Sequence, residues 1–244
     1  MRINTNLNAM IATNQMSKNT ALAGNSMEKL STGLRITKAG DDAAGLAVSE
    51  KMRAQIRGME QAERNVQDGI SMVQTAEGAL EEAGNIAQRM RELGVQAGND
   101  TLSDEDRSKI KGELTQLKDE MTKIADETKF NGKALLNTLG TFKIQAGANK
   151  ETRDVVTADL SSIAKGISIS TLSTASNAQS LVESIDTALS SINEARSNLG
   201  AMQNRLEYTA ANLTTSTENL TAAESRIRDV DVAKEMVTLS KLNI

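Results

Sequence analysis

Two rows of residues seven apart run through the last third of the chain. Ile185, Ile192, Leu199, Leu206, Leu213, Leu220 and Ile227 form one row. Leu181, Ala188, Ala195, Met202, Thr209, Ser216, Ala223 and Val230 form the other. This period puts large and small side chains side by side on one helical seam, where a partner helix can approach closely. It predicts a helix from about Ser176 to Ser240, roughly 100 Å long at ~1.5 Å per residue. The first half carries a matching seam: Met52, Met59, Val66, Val73, Leu80 and Ala87, beside Val48, Gln55, Ala62, Gly69, Ala76, Ala83 and Met90. That helix is expected to begin after Asp41 or Asp42 and to reach about Ala97. The two seams are expected to zip together lengthwise.

A third amphipathic helix follows. Ser103 ahead of Asp104, Glu105 and Asp106 is a helix start, and Ile110, Leu114, Leu117, Met121 and Ile124 recur by three and four. Between Asn131 and Ala175 the helical pattern lapses. Phe142, Ile144 and Val155 flank a Gly-Ala-Asn turn, which predicts a β-hairpin region at about 140–170, extended by Gly166–Thr171. The chain holds no proline, so long helices meet no forced kink. The expected fold is mainly α: an elongated antiparallel helical bundle or coiled-coil rod with a small β-hairpin region.

Composition then narrows the chemistry. With no cysteine there is no disulfide, thiolate metal site or cysteine nucleophile. With no histidine, the commonest general base and zinc ligand are missing too. The aromatics are Phe130, Phe142 and Tyr208 alone, so the interior is built from aliphatic side chains, which suits thin layers between helices. Arg2, Lys18, Lys29, Arg35 and Lys38 face only Glu28 in residues 1–40, a net +4 that leaves −8 for the remainder of a −4 chain. That balance carries no nucleic-acid footprint, and the basic arm lacks interleaved aromatics. No apolar run is long enough to span a bilayer, and the N-terminus has no apolar stretch of the kind that drives general secretion. An exported chain of this kind leaves by another route.

The segment Leu30–Met52, LSTGLRITKAGDDAAGLAVSEKM, concentrates the remaining candidates. Asp41 and Asp42 stand where a helix begins, and an N-cap carboxylate accepts the unpaired backbone N–H groups of the first turn. That role accounts for them without catalysis, since no histidine or ligand cluster stands nearby. Gly33 and Gly40 fit turn or C-cap positions after a helix that begins near Asn6. Gly45 lies inside the next helix, where it costs about 1 kcal/mol against alanine and allows close packing. A phosphate loop is excluded because no Gly-Lys-Ser/Thr follows. No catalytic, cofactor-binding or metal-ligating residues are assigned.

Taken together, RINTN (Arg2–Asn6), the Leu30–Met52 segment, ERNVQDGISMVQTAEGAL (Glu63–Leu80), QRMRELGVQAGN (Gln88–Asn99) and TKFNGKALL (Thr128–Leu136) resemble the N-terminal part of bacterial flagellins. INEARSNLGAMQNRLEYTAANL (Ile192–Leu213) and ENLTAAESRIRDVDVAKEM (Glu218–Met236) resemble the C-terminal part. The segments are long, collinear and cover most of the chain outside the hairpin region. Little room is left for an outer domain, so the resemblance is to a minimal flagellin.

The resemblance implies a structural subunit of the flagellar filament, not an enzyme, with residues 1–40 as an N-terminal helical arm, 41–236 as a rod domain and 237–244 as the start of a truncated C-terminal helix. The family continues for several helical turns beyond SKLNI, so polymerisation of the 244-residue form is expected to be impaired. Implied partners are further copies of the chain, a flagellar export chaperone, filament cap and junction proteins, and the host's flagellin-sensing Toll-like receptor; nucleic acid and membrane insertion are not among them. The implied location is the extracellular filament, reached by type III export. Subunit contacts are expected at Leu34, Arg35, Ile36, Asp41, Asp42 and Leu46, and receptor contacts at Arg89, Leu93 and Glu113. Arg89 is either such an anchor or a surface arginine paired with Glu92 or Glu82. Alternatives are a hook–filament junction protein or a secreted coiled-coil effector.

Overall fold

The computed structural model describes residues 6–169, 172 and 174–243. Arg2, Ser170, Thr171 and Ile244 therefore lie outside the described residues. Six helices and two short antiparallel strand pairs are found among the described residues: α1 Leu7–Thr32, α2 Ala43–Ala97, α3 Asp104–Glu127, β1 Lys129–Phe130, β2 Lys133–Ala134, β3 Thr141–Gln145, β4 Thr152–Val156, α4 Leu160–Gly166, α5 Ala175–Arg228 and α6 Val232–Asn243. They gather into two compact units. Residues 61–214 form one, and the two ends of the chain, through Glu60 and from Thr215, form the other.

In the 61–214 unit the inner face of α2 is Ala62, Val66, Val73, Ala76, Leu80, Ala83, Ala87 and Met90, all buried. α5 presents Leu181, Ile185, Ala188, Ile192, Leu199, Leu206 and Leu213, also buried. The helices run antiparallel. Arg91 Nε lies 2.6 Å from Asp186, Arg196 Nη2 lies 3.9 Å from both Glu77 and Glu81, and Thr214 Oγ1 lies 3.3 Å from Glu63. Small residues set the spacing: a Cβ on Gly94 would stand 3.0 Å from Val182 Cγ2.

α3 starts on the Ser103–Asp106 capping box, in which Ser103 Oγ accepts the Asp106 N–H at 3.2 Å and the Asp106 carboxylate accepts the Ser103 N–H at 3.3 Å. Its buried face includes Arg107, a residue the hydrophobic pattern does not single out. The guanidinium donates to the carbonyls of Ala97 (3.2 Å) and Asn99 (3.1 Å) and to the Asp100 carboxylate (3.3 Å). It thus satisfies carbonyls that the end of α2 leaves without helical partners. Arg107→Met keeps the stem and removes the donors. It is expected to lower stability by about 2–3 kcal/mol in urea denaturation; a loss under about 0.5 kcal/mol would reduce this contact to a surface one.

β1 and β2 close through Asn131 (φ 49°) and Gly132 (φ 77°), two consecutive left-handed residues of the kind a two-residue hairpin needs. β3 and β4 pair Phe142 with Val155 and Ile144 with Arg153. Ile144 is seated against Gly69 of α2, where a Cβ would meet its Cγ1 at 3.3 Å. The expected strand extension over Gly166–Thr171 does not form in the described part. After β4, Asp159 caps a short helix through the Ser162 N–H (2.8 Å), and α4 buries Leu160 and Ala164 while packing on α3.

In the other unit, α1 packs against α6. Met59 is buried, while Met52, Leu220 and Ile227 are half-buried. Val48 is exposed and Ser49 takes the buried place, its hydroxyl donating to the Leu46 carbonyl at 3.2 Å. The single helix expected from Ser176 to Ser240 is two, α5 and α6, broken at residues 229–231.

Candidate functional site

The break between α5 and α6 faces the break between α1 and α2. Gly33 ends α1 in a left-handed conformation (φ 71°), donating its N–H to Lys29 O at 2.9 Å. The chain then runs antiparallel to residues 228–230: Arg35 N–H donates to Arg228 O at 2.6 Å, Val230 N–H to Gly33 O at 3.0 Å, and Leu34 bridges Asp229. The Arg35 guanidinium donates to the Ile227 carbonyl at the end of α5. Both helix breaks are thus closed by backbone hydrogen bonds to each other. A seven-residue repeat carries no signal for that, because the partners are separated by nearly the whole sequence.

The aspartates divide two tasks. Asp42 is half-buried and caps α2, accepting the Gly45 N–H at 2.8 Å. Asp41 is exposed and ties the preceding turn, accepting from Lys38 N–H (3.0 Å), Thr37 Oγ1 (3.0 Å) and Thr37 N–H (3.1 Å). These bonds hold its pKa below the usual carboxylate range, the Lys38 amide contributing most. A depressed folded-state pKa makes the turn's stabilisation full above about pH 4 and lost as pH falls through the folded value. Hydrogen-exchange protection at Thr37 and Lys38 is therefore expected to fall on acidification below about pH 4, and Asp41→Asn should remove that pH dependence. Protection in the parent that stays flat through this range would contradict the assignment.

Ile36 is buried, Leu34 and Leu46 are half-buried, and Arg35 is exposed. Gly45 is required by this packing, since a Cβ there would lie 2.8 Å from Ile36 Cδ1 and 2.9 Å from Asp42 Cγ. Gly45→Ala is expected to destabilise by about 1–2 kcal/mol. Gly78→Ala, on the same helix with nothing within 4 Å, is expected to stabilise by up to about 1 kcal/mol. Urea denaturation of the two variants checks the contrast, and equal effects would mean that the joint has slack. One further ion pair belongs to the joint: Arg228 Nη1 meets Glu50 at 2.6 Å, and this bond depresses the Glu50 pKa.

On the surface of the 61–214 unit, Arg89 pairs with Glu92 at 3.0 Å and with Glu113 of α3 at 3.1 Å. It is exposed and bridges two helices. Leu93 is only 3% exposed and offers a partner no surface, because its side chain faces the interior. Among the described residues no group of acidic residues is placed to hold a metal ion, and no helix is long and apolar enough to cross a membrane.

Residues 3–141 match the bacterial flagellin N-terminal helical region, and residues 182–244 match the bacterial flagellin C-terminal helical region. The chain belongs to the bacterial flagellin family. It is 52% identical to a flagellin of Halalkalibacterium halodurans over 100% of this chain and 91% of that protein. It is 46% identical to a flagellin of Bacillus subtilis, over 100% of this chain and 92% of the other. Among solved structures, Bacillus cereus flagellin shares 34% identity, with a TM-score of 0.57 over 66% of this chain and 94% of that one. A putative flagellar hook-associated protein from Vibrio parahaemolyticus has a TM-score of 0.64 over 78% of this chain and 100% of that one, but at 15% identity it speaks for the fold alone. As a flagellin, the chain is a structural subunit that polymerises into the extracellular flagellar filament, in a family of structural proteins rather than enzymes.

Proposed function

We propose that this flagellin assembles through apolar faces that its terminal helices leave open, and that neighbouring copies stack on the joint Leu34–Leu46. One observation supports this above the rest. α1 and α6 pack on each other, yet Leu7, Met10, Ile11, Met16, Leu22 and Met27 of α1 and Val232, Met236 and Val237 of α6 remain exposed. Apolar surface on this scale marks an interaction site, and a second copy brings the same faces. At the joint, Arg35 and Asp41 are the exposed groups offered to a neighbour. Leu34, Asp42 and Leu46 are half-buried beside them, and Ile36 supports them from beneath.

Export through the flagellar type III apparatus, with its chaperone and with cap and junction proteins as partners, completes the reading. Zero cysteine suits a chain that crosses a narrow channel and folds outside. Recognition by the host's flagellin-sensing Toll-like receptor is assigned to Arg89 and Glu113, whose ion pair lies exposed across α2 and α3. Within residues 61–214, Val66, Val73 and Leu80 of α2 and Ile185, Ile192, Leu199, Leu206 and Leu213 of α5 supply the paired-helix seam; Met52, Met59, Leu220 and Ile227 belong to the other unit.

The test is seeded polymerisation of the chain, as it stands and extended by a family-like tail, viewed by electron microscopy with gold labelling. Label along the whole filament is expected. Label at one end only would favour a junction protein, and no incorporation of either form would overturn the reading.

A further inference from the structure

Methionine is sorted along this chain. Met72, Met90 and Met121 are buried in the 61–214 unit, and Met59 is buried in the other. Met52 and Met202 are half-buried. Every exposed methionine among the described residues lies on a terminal helix: Met10, Met16 and Met27 on α1, and Met236 on α6. Their exposures are 54%, 70%, 61% and 56%, against 0% for Met90 and Met121.

α1 keeps its most exposed methionines apart from its leucines. At about 100° per residue, Met16 and Met27 fall together on one flank of the helix, and Leu7, Ile11 and Leu22 fall on the other. Between the flanks stand Ala23, half-buried, and Ser26, buried. The methionine flank therefore stays open to water while α1 is packed on α6.

An open thioether is the group a peroxide attacks first when no thiol competes, and this chain holds no cysteine, tryptophan or histidine. The sulfur lone pair forms an S–O bond as the peroxide O–O bond breaks. The departing hydroxide takes the proton left on the transferred oxygen and leaves as water. Methionine is oxidised to the sulfoxide, and the peroxide is reduced. A flexible apolar side chain thereby becomes polar and chiral. Covering it in an apolar contact now strips water from a strong hydrogen-bond acceptor.

We propose that Met10, Met16, Met27 and Met236 are modification sites for hydroperoxides, and that their oxidation to sulfoxide withdraws the subunit from filament growth. The effect on growth rests on the reading that the open faces of α1 and α6 meet other copies. Met72, Met90 and Met121 are out of reach, so the 61–214 unit keeps its interior through the same exposure. The chemistry thus acts on assembly and spares the fold. Growth outside the cell puts an incoming subunit in contact with peroxide in the medium.

The probe is hydrogen peroxide, applied to the folded monomeric chain and mapped by peptide mass spectrometry. Met10, Met16, Met27 and Met236 are expected to oxidise at least about tenfold faster than Met90 and Met121, whose reaction waits on local opening. The oxidised chain is then offered to filament seeds, as it stands or extended by a family-like tail, in whichever form the reduced sample grows. Its threshold concentration is expected to rise at least about tenfold. Methionine sulfoxide reductases for both epimers, supplied with dithiothreitol, should restore growth. Replacing Met10, Met16, Met27 and Met236 together by leucine keeps the apolar bulk without the sulfur. That variant should hold its threshold within about twofold through peroxide treatment.

The proposal is overturned if Met90 and Met121 oxidise as fast as the exposed methionines, if the oxidised chain grows at the reduced chain's threshold, or if the leucine variant loses growth to peroxide as the parent does. Reductase rescue uses the parent chain, so it decides the matter even if the variant assembles poorly. A reduced chain that never grows on seeds in either form would sink the assembly reading, and the effect on growth with it. Reduced and oxidised chains growing alike would sink the proposal alone.

Discussion

Replacing Leu7, Ile11 and Leu22 together by serine is expected to raise the protein concentration needed for filament growth by about a hundredfold. The three side chains are 57%, 60% and 51% exposed in the isolated chain, so roughly half of each still faces water. Covering the remainder in an assembly contributes about 1 kcal/mol per side chain at ~25 cal/mol per Å². Three of them give about 3 kcal/mol, and each 1.4 kcal/mol is a factor of about ten. The same substitutions should leave the melting of the 61–214 unit unchanged, because α1 belongs to the other unit. Seeded growth followed by light scattering reads the first effect and near-ultraviolet melting reads the second. Filaments forming at the parent's threshold would show that the open apolar face of α1 is not where copies meet.

Leu80→Asp carries the largest expected cost to the fold itself, more than about 4 kcal/mol. Leu80 is fully buried among the α2 positions that face the α5 seam. The substitution removes the leucine side chain's burial and takes a carboxylate out of water, and both terms have the same sign. Val95→Asp supplies the control on the same helix. Val95 is 56% exposed, and an aspartate there is expected to stay within about 0.5 kcal/mol. Urea denaturation at neutral pH reads both. Similar midpoints for the two variants would mean that the buried row does not hold the helices together.

The joint shows where physical legibility stops. Asp42 as a cap and Gly45 as a close contact follow from local rules, since a carboxylate before a helix meets orphan amides and a glycine admits a neighbour. What Gly45 admits could not be read locally. It is Ile36 from the preceding turn, and the turn is set by Asp41 accepting three hydrogen bonds. Arg107 was hidden for a related reason. In an amphipathic pattern a buried arginine looks like a polar residue on the wrong face, and only the exposed carbonyls at the end of α2 explain its place. Arg89 was legible as a charged residue with acids at helical spacing, but its bridge to Glu113 depends on how α3 returns beside α2.

By itself the sequence determined the helical periods, the starts of α2 and α3, the hairpin about the Gly-Ala-Asn turn between Ile144 and Val155 and the absence of cysteine and histidine chemistry. Each of these rests on interactions within a few residues, where spacing alone brings groups together. Tertiary structure decided the break between α5 and α6, the burial of Leu93 and the short helix where strand was expected. In every one of these the competing interaction comes from a distant segment: Gly33–Arg35 against Arg228–Val230, or α3 against α4. A heptad continued through Val230 could have stayed helical, and the backbone hydrogen bonds offered from the far end of the chain made the break the lower-energy choice.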